Sequence, residues 1–166
     1  MAKTLQGSRL THRLFLAVRL GRDLYGIPFA SVDEVWPSLP IEPIPEGPDF
    51  LCGVVVARGC LIPVVDAAAR LKLTNHQSPP EPHIVCLRVR DRLIGIRIDE
   101  ALDIVEISPA AGLNSAELGA ERSFFSEITD CDGQTIRLLD PDRLLEDLKS
   151  SDLAMVSEAI RDEPIE

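Results

Sequence analysis

The passage from Leu14 to Pro40 recurs later in the chain: shifted by 69 positions without gaps, it sets Arg19 on Arg88, Leu24 on Leu93, Gly26 on Gly95, Ile27 on Ile96, Glu34 on Asp103 and Pro40 on Pro109. Such a duplication constrains the fold, because one local plan must work twice in one molecule. In the first copy, residues 14–20 and 24–29 have the apolar, β-branched character of strands. A polar turn at Gly21-Arg22-Asp23 separates them, and a short segment follows to Trp36. The second copy repeats the order: strand 84–89, turn Arg90-Asp91-Arg92, strand 93–98, and a segment through Val105.

A second motif also occurs twice. Residues 54–56 and 61–65 read as buried strands around a tight reversal at Arg58-Gly59, and Asp66 then precedes Ala67-Ala68-Ala69-Arg70-Leu71. Its carboxylate can accept from the first N–H groups of a helix, so it is expected as an N-cap. Residues 136–140 followed by Pro141-Asp142-Arg143-Leu144-Leu145 restate the plan, with Pro141 suited to the first helical position after Asp140. Asp130-Cys131-Asp132-Gly133 opens like a calcium loop, yet Pro141 holds the place of the bidentate Glu. Asp132-Gly133 therefore reads as a hairpin turn between 127–128 and 135–136.

No long helix alternates with these strands, which favours an all-β fold with short helices: two tandem five-stranded barrels, about 14–74 and 83–145, with strands open to exchange between them. A Pro-rich linker, 75–82, joins the halves, and 110–122 is expected to be irregular or partly helical. Residues 1–13 read as a loose lead-in. Residues 146–166 read as an acidic helical extension, since Leu144, Leu145, Leu148, Leu153, Val156 and Ile160 recur at helical spacing.

A chain of 166 residues with 45% hydrophobic content can bury a core. Its formal charge of −10 and lack of a Lys/Arg cluster that could track a phosphate backbone make a poor match to nucleic acid, so none is expected as partner. No apolar run reaches bilayer-spanning length, which points to the cytoplasm without direct membrane insertion. Cys52, Cys60, Cys86 and Cys131 form no metal or redox motif and are expected as buried thiols. His12, His76 and His83 are expected in solvated loops. Nucleotide-binding and acyl-hydrolase motifs are missing, so no catalytic, cofactor or metal site is assigned and the chain is not expected to be an enzyme. Asp33, Glu34, Asp66, Asp99 and Glu100 read as caps and solvated faces. Arg58 wants a carboxylate partner beside its apolar hairpin. Trp36, the only Trp, divides evenly between contact and core roles.

In order, F-x-x-x-x-L-G-x-x-x-Y-G-I-P from Phe15, V-D-E-V from Val32, P-D-F-x-x-G-V-V from Pro48, A-R-G-x-x-I-P-V-V-D from Ala57 and L-L-D-x-x-R-L-L from Leu138 resemble the CheW coupling proteins of bacterial chemosensory arrays. The resemblance implies two five-stranded SH3-like barrels and a non-catalytic adaptor at receptor arrays on the inner face of the membrane. It also implies two partners: the cytoplasmic tips of methyl-accepting chemoreceptors and the regulatory domain of a CheA-type histidine kinase. Glu34 and Arg58 fall on family positions at the kinase-facing surface, with Asp33 and Gly59 beside them. Val32, Val35 and Trp36 fall along the groove for the receptor helix tip. Ala57 before Arg58, and Ala67 after Asp66, depart from the usual N-L-R-G and D-L. These departures and the acidic extension leave room for an alternative pathway, in surface sensing, type IV pili or second-messenger control.

A second reading comes from a different class. It is a small-molecule-binding or enzymatic β-barrel domain with Asp33, Glu34, Asp66 and Arg58 around a cleft between the halves.

Overall fold

The computed structural model describes residues 13–45, 47–108, 112–114, 124–146 and 148. The expected lead-in, most of 110–122 and nearly all of the C-terminal extension lie outside these residues. The first repeat forms β1 (Arg13–Leu20), β2 (Asp23–Pro28), a 3-10 turn (Phe29–Ser31) and β3 (Val32–Trp36). Then come β4 (Leu51–Ala57), β5 (Cys60–Asp66) and helix α1 (Ala67–Arg70). The second repeat gives β6 (His83–Val89), β7 (Arg92–Ile98) and β8 (Glu100–Ile107). After it come β9 (Leu113–Asn114), β10 (Phe125–Cys131), β11 (Gln134–Leu139) and helix α2 (Pro141–Leu144).

The sheets cut across the sequence halves. One runs β8-β1-β2-β11-β10-β9 and the other β3-β6-β7-β5-β4. The third strand of each repeat thus leaves its own hairpin and pairs with the first strand of the other repeat, β8 with β1 and β3 with β6. Where the units meet, the pairing is parallel, β11 with β2 and β5 with β7. The duplicated glycines stand at these junctions: Gly26 lies opposite Leu138 and Gly95 opposite Val64. A Cβ on Gly26 would lie 2.7 Å from the Leu138 side chain, and one on Gly95 3.0 Å from that of Ile84. Each glycine lets a foreign strand close over a small interior.

Strand alternation divides the core into three. Phe15, Ala17, Ile136 and Leu138 fill one barrel, while Trp36, Val55, Ile62, Val64, Ile84 and Cys86 fill the other. The neighbours in sequence, Leu16, Val18, Val65, Val85, Leu87 and Leu139, point the opposite way into a larger cluster between the sheets. These strands read as unbroken apolar runs because both of their faces are buried. Each fully buried Leu or Ile there contributes about 1.5–3 kcal/mol.

The five-stranded sheet is closed by the chain after β3, where Glu42 exchanges two backbone hydrogen bonds with Val54 of β4 (2.8 and 2.9 Å). In the other sheet the two-residue β9 pairs with β10 in the corresponding way, which gives six strands where five were expected. Both Asp caps form, with Asp66 accepting from Ala68 and Ala69 and Asp140 from Asp142 and Arg143. Arg70 joins the two helices: it is buried, its Nε donates to the Leu144 carbonyl at 2.7 Å, and its guanidinium lies between the rings of Phe50 and Phe124.

Two sequence expectations need correction. His76 and His83 do not sit in solvent: His76 Nε2 is 2.7 Å from Asp99 Oδ1 and fixes the linker to the sheet, and His83 Nδ1 accepts from the Ala101 N–H. Cys60 is exposed because it closes a hairpin tip, whereas Cys86 is buried and Cys52 and Cys131 are half-buried. Burial pushes the Cys52 and Cys86 thiols up to about 11. Among the described residues no helix is long and apolar enough to cross a membrane.

Candidate functional site

The turn between β4 and β5 pairs Ala57 with Cys60 and leaves a two-residue loop, Arg58-Gly59. Both residues are left-handed, at φ of 52° and 74°, as a tight hairpin loop requires. Glycine adopts this conformation without strain, but arginine does not. The placement fixes where the guanidinium can reach.

It reaches the far edge of the sheet. Arg58 Nη2 donates to Asp33 Oδ2 at 2.7 Å and lies 3.3 Å from Glu34 Oε2, an oxygen that is shut off from solvent. Adjacent residues on a regular strand face opposite sides, so Asp33 and Glu34 could not ordinarily share one cation. The register of β3 against β6 shifts between Val32 and Glu34, and this bulge turns both carboxylates the same way. Arg88, on β6, adds a second guanidinium 3.6 Å from Asp33 Oδ1.

The hydrogen bond from Arg58 holds the Asp33 carboxyl below the usual carboxylate range, against the opposing effect of partial burial. Asp33 in turn raises the Arg58 pKa, with help from Glu34. The carboxylate partner that Arg58 wants is thus supplied twice over, and the shorter contact is with Asp33. The repeat pairs Arg88 with Arg19 and gives no sign of this role, because sequence does not show that strand exchange brings β6 beside β3.

Exposed apolar side chains stand on the same strands as the ion cluster. Val56 and Leu61, a cross-strand pair next to the turn, are 67% and 39% exposed, and Val35 on β3 is 39% exposed. Nothing lies within 4 Å of a Cβ built on Gly59, so its part is the turn itself. A second apolar surface joins Leu14 of β1 to Ile104 of β8, with Phe29 on the turn that carries the chain from one sheet to the other; all three are exposed. Val32 follows that turn and is half-buried against the central core. Trp36, expected to line the groove, is a core residue at 7% exposure, because the end of β3 faces the barrel interior.

The alternative cleft does not assemble. Asp66 and Arg58 lie at opposite ends of the β4–β5 hairpin, about 20 Å apart at roughly 3.3 Å per residue. Asp66 caps α1 and pairs with Arg97 at 2.7 Å.

The family model for the CheW-like domain matches residues 14–149. A Rhizobium meliloti protein named "Chemotaxis protein CheW" is 27% identical over 132 residues, which cover 78% of this chain and 85% of that one. A Rhizobium etli "Probable chemotaxis protein CheW" is 26% identical, covering 83% of this chain and 90% of its own length. The crystal structure of the scaffolding protein TtCheW from Thermoanaerobacter tengcongensis has the same fold, with a TM-score of 0.73 at 23% identity, over 81% of this chain and 92% of that one. The match over almost the whole described chain, with the duplicated two-barrel fold beneath it, places this protein in the CheW-like domain family.

Proposed function

We propose that this chain is an adaptor that couples methyl-accepting chemoreceptors to a CheA-type histidine kinase at cytoplasmic arrays. Its family is one of non-catalytic scaffolds, and the chain is not an enzyme. On this reading the surface of Arg58, Asp33, Glu34 and Gly59 meets the kinase regulatory domain. The exposed strip of Leu14, Phe29 and Ile104, with Val32 at its base, takes the receptor helix tip, in keeping with helix-in-groove recognition. Val35 supplies exposed apolar surface on β3, and Trp36 holds that strand from inside.

The observation that carries this reading is Arg58 itself. A charged residue occupies a left-handed turn position, is oriented by two carboxylates and closes a hairpin whose last cross-strand apolar pair, Val56 and Leu61, is exposed. Protein contacts commonly combine an arginine anchor with apolar surroundings. The names of the relatives support chemotaxis as the output; surface sensing, pilus control and second-messenger control are the other pathways the sequence allows.

Calorimetry with the cognate kinase regulatory domain and a receptor-tip fragment tests the reading. Wild type is expected to bind both. Arg58→Asn, which keeps the left-handed turn but removes the charge, and Glu34→Ala are expected to weaken kinase binding alone. Full-strength kinase binding by both variants refutes the site, and failure of wild type to bind either partner refutes the function.

A further inference from the structure

Arg88 is presented differently from its twin in the repeat. Arg19 lies across from Glu100, with their charged atoms 2.9 Å apart and both side chains about half exposed. Among the described residues Arg88 has only Asp33 Oδ1 at 3.6 Å, beyond hydrogen-bond length. Arg58 meets Asp33 and Glu34 through Nη2 alone, so its Nε and Nη1 carry no hydrogen bond among the described residues.

The cluster is neutral in sum but layered. The Arg58 and Arg88 side chains are 60% and 55% exposed, against 42% for Glu34 and 21% for Asp33, which lies beneath them. Cations therefore face outward on a chain whose formal charge is −10. Asp33 lies between the two guanidiniums and offsets their mutual repulsion, which keeps both at one surface with donors to spare.

We propose that Arg58 and Arg88 together receive a carboxylate side chain of the partner, with Val56 and Leu61 as the apolar flank, and that Arg88 is a specificity-determining residue of the contact. This rests on the reading that the surface meets the kinase regulatory domain. Two guanidiniums offer planar, forked donors to one carboxylate, a match that lysine cannot reproduce. A partner with an amide or apolar residue at that place would leave the donors dehydrated and unpaired, so the pair also discriminates.

Calorimetry of the full chain with the cognate kinase regulatory domain tests this with Arg88→Ala, Arg88→Lys, and Asp33→Asn with and without Arg88→Ala. Arg88→Ala is expected to weaken binding by about tenfold, and Arg88→Lys to restore only part of it. Its melting temperature should stay within about 2 °C of wild type, as for an exposed surface residue. The same tenfold loss is expected on the Asp33→Asn background; a silent Arg88→Ala there shows that Arg88 only positions Asp33 and overturns direct contact. Among Asp→Asn and Glu→Gln variants of the kinase domain surface, one is expected to abolish the effect of Arg88→Ala, and absence of any such variant overturns the carboxylate. Equal binding by wild type and Arg88→Ala overturns the role of Arg88 while leaving the kinase reading in place. No binding by wild type removes both.

Discussion

Arg58 Nη2 and Asp33 Oδ2, 2.7 Å apart, join a hairpin tip at one edge of the five-stranded sheet to the strand at its other edge. The contact helps to hold the barrel closed and orients the arginine for a partner. Both effects come from a turn residue and a bulge residue, positions where regular β geometry is broken.

Asp33 should respond to acid in a definite direction. Its folded pKa lies below the ordinary value of about 3.9, so its contribution is present above that pH and is lost as pH falls through the lower folded value. A carboxyl-carbon NMR titration is expected to give a midpoint for Asp33 below that ordinary value. Arg58→Asn should move the midpoint upward, because it removes the hydrogen bond responsible. An unmoved midpoint would count against the pairing.

Two glycines of the β4–β5 hairpin should differ sharply. Gly53 has φ of 146°, and a Cβ there would lie against the Glu42 carbonyl that pairs with Val54. Gly53→Ala is expected to cost about 3 kcal/mol, from strain together with displacement of the strand that closes the barrel. Gly59→Ala meets nothing and should cost only about 1 kcal/mol, for the left-handed backbone. Urea unfolding midpoints compare the two directly.

Arg70 is expected to matter for stability and not for binding. Arg70→Met keeps an apolar stem of similar reach to Nε but loses the hydrogen bond to Leu144 and the guanidinium between Phe50 and Phe124. A loss of about 3 kcal/mol in urea unfolding is expected. Kinase affinity of the folded variant should be unchanged.

The cysteines should separate by reactivity. Cys60 is exposed and should be alkylated first under native conditions. Cys86, buried with its thiol pushed up to about 11, should react only on unfolding, and half-buried Cys52, raised as far, should react more slowly than Cys60. Mass spectrometry of peptides after timed iodoacetamide treatment distinguishes the sites, and early labelling of Cys86 would contradict its burial.

Much of the local architecture was legible in the chain. The hairpin turns at Arg58-Gly59, Arg90-Asp91 and Asp132-Gly133, and the caps at Asp66 and Asp140, depend on neighbouring residues and formed where expected. The segments before Trp36 and through Val105 were less clear, since the strands β3 and β8 carry mixed, partly exposed patterns. Residue type and neighbours do not tell which side of a barrel a residue faces, which is why exposed Cys60 and buried Trp36 could not be assigned from sequence. His76 looked like a linker residue until the fold set Asp99 beside it.

The sequence by itself determined the repeat, the turns, the caps and the family, because each rests on short-range chemistry or on an ordered series of motifs. Only the tertiary structure decided that the third strand of each repeat crosses to the other sheet, which brings Arg88 to Asp33. The Arg58–Asp33 contact likewise spans opposite edges of a curled sheet, and the bulge at Asp33 lets two successive carboxylates face one cation. Strand exchange and sheet closure are chosen by the burial of both sheet faces at once, a property of the whole packed chain that no local stretch contains.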